Sequence, residues 1–182
     1  TQTPTTGNTH QPVAADKSAE LKNLLDQWKE TAVQQQNGQI DYESFGKIIE
    51  DQIANKIDAI VVTGPTGEAA TLTHEEHMDC MKLVVDTVAG RVPVIAGTGS
   101  NDTAYAIDLT EFSCKVGADA MLVVTPYYNK ATQKGLVTMY NTIADASTKP
   151  VILYNVPSRT GIAIEPATYV KLAEHPNICA IK

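Results

Sequence analysis

The apolar positions of the chain fall into two alternating patterns. DAIVVTG (58–64), VPVIAGTG (92–99), ADAMLVVTP (118–126), KPVILYNVP (149–157) and NICAIK (177–182) are short, nearly continuous apolar runs. Between them lie HEEHMDCMKLVVDTVAG, DTAYAIDLTEFSCKVG, TQKGLVTMYNTIADAS and EPATYVKLAEH, whose apolar residues recur at helical spacing. Upstream, DYESFGKIIEDQIANK places Phe45, Ile48, Ile49 and Ile53 on one core-facing stripe. SAELKNLLDQWKETAV does the same with Leu21, Leu24, Leu25 and Trp28, behind Ser18 as a cap. Strands that are apolar throughout are buried on both faces, and their alternation with amphipathic helices predicts parallel βαβ units. The strand starts stand 26–34 residues apart, one βα unit each. The pattern therefore predicts an α/β fold. A doubly wound sheet and a (β/α)8 barrel both fit, and either gathers its chemistry beyond the C-terminal ends of the strands. Residues 1–17, polar, Thr-rich and broken by Pro and Gly, predict a disordered arm. That leaves 18–182 as the domain.

Composition narrows the class. At 182 residues, 43% hydrophobic and 19% charged, the chain reads as one soluble domain with a real core. A net charge of −7 argues against a nucleic-acid partner. No apolar run approaches the roughly 20 residues that cross a bilayer, and no basic segment leads into an apolar one at the N-terminus. Cys80, Cys114 and Cys179 are odd in number and widely spaced, which fits neither a disulfide framework nor a metal set. A reduced, cytoplasmic protein is the expectation.

The strand ends carry the candidate chemistry. They read GPTGE, GTGSND, TPYYNK, YNVPSRTG and Lys182. A lysine desolvated at a barrel mouth becomes a nucleophilic amine, although local sequence alone favours a solvated strand-end residue. Tyr154 could shuttle a proton to a carbinolamine, or pack its ring with the hydroxyl bonded. Tyr127 and Tyr128 are adjacent after a strand, so they cannot face one core together, and one of them meets a pocket or a partner subunit. Arg159 suits a substrate carboxylate, or is a surface arginine. Gly64–Glu68 presents backbone amides and the Thr66 hydroxyl at a strand-to-helix turn, suited to an anion, with no phosphate-loop pattern. GTGSND lacks the third glycine of a dinucleotide loop. His74 and His77 lie three apart beside Glu75 and Glu76, without the HExxH spacing, and read as a capping segment with solvated histidines or as an effector site. No metal is assigned.

Taken together, IVVTGPTGEAATLTHEEH, VPVIAGTGSNDT, VVTPYYNKATQKGL, ILYNVPSRTG and PNICAIK resemble the dihydrodipicolinate synthase family, in the N-acetylneuraminate lyase superfamily of barrels. The resemblance runs from about Ile40 to Lys182, and the 28-residue step from Tyr154 to Lys182 matches the family's step from tyrosine to lysine. It implies a TIM (β/α)8-type barrel with about five βα units present. It also implies a Schiff-base-forming lyase that condenses pyruvate with aspartate semialdehyde to 4-hydroxy-tetrahydrodipicolinate, in lysine and diaminopimelate biosynthesis, without metal or organic cofactor. Lys182 would form the imine and Tyr154 relay protons. Tyr128 would complete the relay from a neighbouring subunit of a homo-oligomer, dimer or tetramer. Thr66, with Gly67 beside it, would hold the pyruvate carboxylate, and Arg159 that of the semialdehyde. The YNVPSRTG turn separates this reading from a related pyruvate aldolase of sugar acids. An L-lysine effector site would map onto Ala69, Ala70, His74, His77, Asn101 and Tyr127. Tyr105 stands where an acidic residue holds the effector's amine, which argues against feedback.

Three departures from the family pattern stand out. Pro65 replaces the first threonine of GTTGE, which bridges the two tyrosines, and has neither hydroxyl nor N–H. LLDQWKETAVQQQ reads as helix where the family carries a first strand. A (β/α)8 barrel takes about 250 residues, so a chain ending on Lys182 implies a piece of a longer protein or a half-barrel that must associate, with the lysine frayed at its end. An inactive scaffold is the reading from a different class.

Overall fold

The computed structural model describes residues 38–182. The arm expected at 1–17, the helix expected at 18–33 and the segment in place of a first strand lie outside the described residues. The main unit runs from Phe45 to Lys182, and residues 38–44 belong to the preceding one. In that short stretch the Asp41 carboxylate accepts from the Ser44 backbone N–H (2.9 Å) and hydroxyl (2.7 Å), a side-chain cap at the start of helix α1 (Tyr42–Ala54).

Five strands follow in the predicted places: β1 (Ile60–Val62), β2 (Val94–Gly97), β3 (Ala120–Val124), β4 (Val151–Tyr154) and β5 (Ile178–Ile181). Single 3-10 turns at Pro65–Gly67 and Ala69–Thr71 lead from β1 into α2 (His74–Val88). The other helices are α3 (Thr103–Val116), α4 (Gln133–Asp145), the one-turn α5 (Pro157–Thr160) and α6 (Pro166–Leu172). Their starts are written in the sequence. Thr73 and Glu76 close a reciprocal capping box on α2, Asp102 caps α3 through the Ala104 N–H, and Thr132 caps α4 through that of Gly135.

Every strand pair is parallel and the order across the sheet is β1-β2-β3-β4-β5. This order decides between the two folds left open by the pattern. A doubly wound sheet reverses direction at a switch point. Here each strand adds beyond the last, so right-handed crossovers lay successive helices on the same face, as in a barrel wall. The chain is an α/β, partial (β/α)8-type barrel.

The core lies between that helical layer and the middle strands. Met81, Val84 and Val88 of α2, Leu109 of α3, and Leu136, Tyr140 and Ile143 of α4 are completely buried. Each such side chain contributes about 1.5–3 kcal/mol. The Tyr140 hydroxyl donates to the Val123 carbonyl at 3.3 Å, which satisfies that buried polar atom. β3 is buried from Met121 to Val124, as a strand with two covered faces should be. The outer strands differ from that expectation: Val61 is 48% and Ile181 57% exposed, because β1 and β5 each have a neighbour on one side only among the described residues.

Candidate active site

The strand ends meet in a cavity of about 280 Å³. Its wall takes Thr63 from the end of β1, Gly97 and Gly99 from β2, Leu122 and Val124 from β3, and Tyr154 from β4. Pro65, Ala69, Ala70, Tyr127, Val156, Arg159 and Thr160 complete it from the loops beyond. Arg159 is its one charged lining residue among the described residues. An apolar recess with a single guanidinium at its mouth suits a small acid, whose carbon chain enters the recess while the carboxylate stays at the rim.

Lys182 and Tyr154 are brought together by strand register. Leu153 pairs with Ile181, so the residues one step on, Tyr154 and Lys182, share a face of the sheet. The Lys182 Nζ stands 4.4 Å from the centroid of the Tyr154 ring, within cation–π range. The backbone of Lys182 is not frayed as expected. Its N–H donates to the Leu153 carbonyl (2.7 Å), and its carbonyl accepts from Asn155 (2.9 Å). Its side chain takes the solvated position that local sequence favours over a desolvated one: Lys182 is exposed and lies outside the cavity wall, while Tyr154 is half-buried within it.

The paired tyrosines divide as expected of neighbours in a turn. Tyr127 is half-buried and lines the cavity, while Tyr128 is 95% exposed and holds a left-handed backbone (φ 69°). Tyr128 therefore does not reach this cavity from its own chain. In the Gly64–Glu68 turn, the Gly67 and Glu68 amides donate to the Gly64 (2.9 Å) and Pro65 (3.2 Å) carbonyls. The tight 3-10 geometry thus engages the Gly67 and Glu68 amides within the turn, so the Gly67 N–H is not turned toward an anion.

Thr63, which the sequence reading did not single out, holds the base of that turn. It is a β-branched residue at φ 52°, a conformation that costs about 1–3 kcal/mol. Its Oγ1 lies 2.8 Å from the Val62 carbonyl and 3.3 Å from that of Gly97. Gly97 must be glycine, because a Cβ there would lie 2.4 Å from the Thr63 carbonyl oxygen.

The histidines separate. His74 is exposed and paired with Asp108 at 3.2 Å. His77 is only 3% exposed, which corrects the solvated reading, because α2 turns that position toward the end of β2. Its Nε2 lies 3.1 Å from the Gly97 carbonyl, and its Nδ1 lies 3.4 Å from the Tyr105 hydroxyl. A carbonyl can only accept, so Nε2 carries the proton and Nδ1 receives the phenol. The Asn101 backbone carbonyl accepts from the Asn129 side chain at 2.9 Å.

Burial pushes the His77 imidazole below its usual range, with the Gly97 bond opposing and His74 reinforcing the shift. The unfolded chain takes up a proton near the ordinary value of about 6.5. The stability contributed by neutral His77 is therefore fully present above that pH and is lost as pH falls through the lower folded value. Urea unfolding at pH ~7 and ~5 is expected to show a falling midpoint, and His77→Gln a smaller fall.

The sequence model of the Dihydrodipicolinate synthetase family matches residues 30–182. The chain is 58% identical over 146 residues to the 4-hydroxy-tetrahydrodipicolinate synthase of Geobacter metallireducens, covering 80% of this chain and 50% of the relative. It is 54% identical over 147 residues to that of Acetivibrio thermocellus, with 81% and 50% covered. Among solved structures, the dihydrodipicolinate synthase of Acinetobacter baumannii complexed with pyruvate superposes with a TM-score of 0.78 at 49% identity, over 80% of this chain and 50% of that one. The enzyme of Cyanidioschyzon merolae with lysine bound gives 0.76 at 45%, over 79% and 49%. The chain spans about half the length of the curated relatives it matches.

Proposed function

Since the chain belongs to the dihydrodipicolinate synthetase family, we propose that it carries the pyruvate-activating half of a Schiff-base lyase that condenses pyruvate with aspartate semialdehyde. The observation that carries this reading is the Lys182 ammonium 4.4 Å over the Tyr154 ring, beside an apolar cavity with Arg159 at its mouth. The Lys182 amine attacks the pyruvate C2 carbonyl. Tyr154 passes protons to and from the carbinolamine, water leaves, and the imine loses a methyl proton to become an enamine. The enamine carbon attacks the aldehyde carbon and forms the new C–C bond. The substrate's own amine then displaces Lys182, giving the cyclic 4-hydroxy-tetrahydrodipicolinate. Thr66 holds the pyruvate carboxylate and Arg159 that of the semialdehyde. The exposed, left-handed Tyr128 suits a second copy of the chain, whose site it would complete in a dimer or tetramer.

Arg159 tests the substrate class. With Arg159→Ala, the KM for aspartate semialdehyde is expected to rise about tenfold or more, the loss typical of a charged hydrogen-bond pair, while the KM for pyruvate stays the same. Equal use of uncharged sugar-derived aldehydes by both proteins would assign the chain instead to the sugar-acid aldolases.

A second reading, a barrel segment that folds or assembles without catalysis, draws on Pro65 in the first threonine's place and on the exposure of the Lys182 side chain. L-lysine as an effector is disfavoured. His74 is engaged by Asp108, and His77 by Tyr105, which stands in place of the acid that would hold an amine. Titration calorimetry is expected to show no saturable lysine heat up to about millimolar concentration. Tight binding would restore the effector role.

A further inference from the structure

The one-turn helix α5 carries Arg159 yet has few means of holding its place. It opens on Pro157 without a side-chain cap, and its backbone bonds stay within the turn, from Arg159 and Thr160 to the Val156 carbonyl and from Gly161 to that of Pro157. A turn this short does not persist on its own bonds. Beneath it lies Thr125, completely buried at the end of β3. Its hydroxyl donates to the hydroxyl of Thr160, 3.0 Å away and itself 5% exposed. Thr160 in turn passes its own proton to the carbonyls of Ile162 (3.0 Å) and Val156 (3.2 Å). Above the turn, the Lys130 stem runs across Gly161, 3.2 Å from where a Cβ would stand. The backbone N–H of Thr125 donates to the Tyr154 carbonyl at 3.0 Å. One residue is thus bonded through its backbone to Tyr154 and through its side chain to the turn that bears Arg159.

We propose that Thr125 is a positioning residue that sets the spacing between Tyr154 and Arg159, and through it the chain length of the acidic aldehyde accepted. The inference rests on the Schiff-base reading for the identity of that aldehyde. Pyruvate capture uses Lys182, Tyr154 and Thr66, none of them on this turn, and Thr125→Val keeps the backbone bond to Tyr154, so the side-chain anchor acts on the second substrate and leaves the first step untouched. Valine copies the shape of threonine without its hydroxyl, and serine restores the donor.

Thr125→Val, Thr125→Ser and the unaltered chain are compared in two assays. Limited trypsin digestion, read by mass spectrometry, reports how firmly the turn holds the exposed Arg159. Cleavage after Arg159 is expected to quicken several-fold in Thr125→Val and to stay at the original rate in Thr125→Ser. Steady-state kinetics are expected to show a KM for aspartate semialdehyde raised about five- to tenfold in Thr125→Val alone, with the KM for pyruvate and borohydride trapping unchanged. Unaltered cleavage in Thr125→Val overturns the proposal, as does equal loosening in both variants or a parallel loss of pyruvate trapping. If the unaltered chain traps no pyruvate, the functional reading falls, and with it the role of the anchor in aldehyde selection.

Discussion

Borohydride added to the chain in the presence of pyruvate is expected to leave a reduced pyruvyl adduct on Lys182, found by peptide mass spectrometry, and Lys182→Ala is expected to leave none. The expectation follows from placement. Lys182 continues the β5 ladder through backbone bonds to Leu153 and Asn155, so its Cα is held although its side chain is exposed. Its ammonium already stands over the Tyr154 ring, within reach of a carbonyl lodged at the cavity mouth. Imine formation needs a fraction of neutral amine, a carbonyl held nearby and a proton carrier. Lys182→Arg keeps the charge and removes the nucleophile, so it should be as inert as alanine. A pyruvyl adduct on Lys130 or Lys149 instead, or none at all in the unaltered chain, would move the chain to the non-catalytic reading.

Pro65→Thr is expected to speed that capture on the order of 10²-fold, the lower end of what a positioned proton-transfer group contributes. Pro65 lines the same cavity as Tyr154, and the family pattern places a threonine there to bridge the two relay tyrosines. Proline at the first position of the 3-10 turn gives a fixed φ and no donor. Threonine restores both hydroxyl and N–H, while the bonds from Gly67 to Gly64 and from Glu68 to Pro65 use backbone atoms that any residue supplies. Pro65→Ala separates the causes. If the gain comes from the hydroxyl, alanine leaves the trapping rate unchanged. If it comes from a more pliable turn, alanine matches threonine and the relay argument fails.

Much of the site was legible because strand ends are where a parallel α/β fold gathers chemistry. GPTGE, TPYYNK, YNVPSRTG and Lys182 stand out as polar groups immediately after apolar runs. Four contributors were not legible. Thr63 is an ordinary threonine until its backbone is forced to φ 52° beside Gly97. Thr125 and Thr160, 35 residues apart, pair only because β3 and β4 are neighbours. His77 sits in a polar-looking segment, HEEH, yet is buried, because the histidine three residues along a helix from His74 faces the sheet while His74 faces Asp108. Local pattern assigns a period. It does not say which phase of that period meets a neighbouring element.

By itself the sequence determined the elements, their parallel arrangement and the family. Runs that are apolar throughout must be buried on both faces, and capping residues such as Thr73, Asp102 and Thr132 say where helices may start. The tertiary structure alone decided that the sheet adds strands in one direction, and which residues meet across it. It placed Lys182 over Tyr154, tied Thr125 to Thr160, and left Tyr128 outside the cavity that Tyr127 lines. Burial pattern is a property of each segment, whereas contact depends on register and crossover hand, which arise only when segments hydrogen-bond to one another.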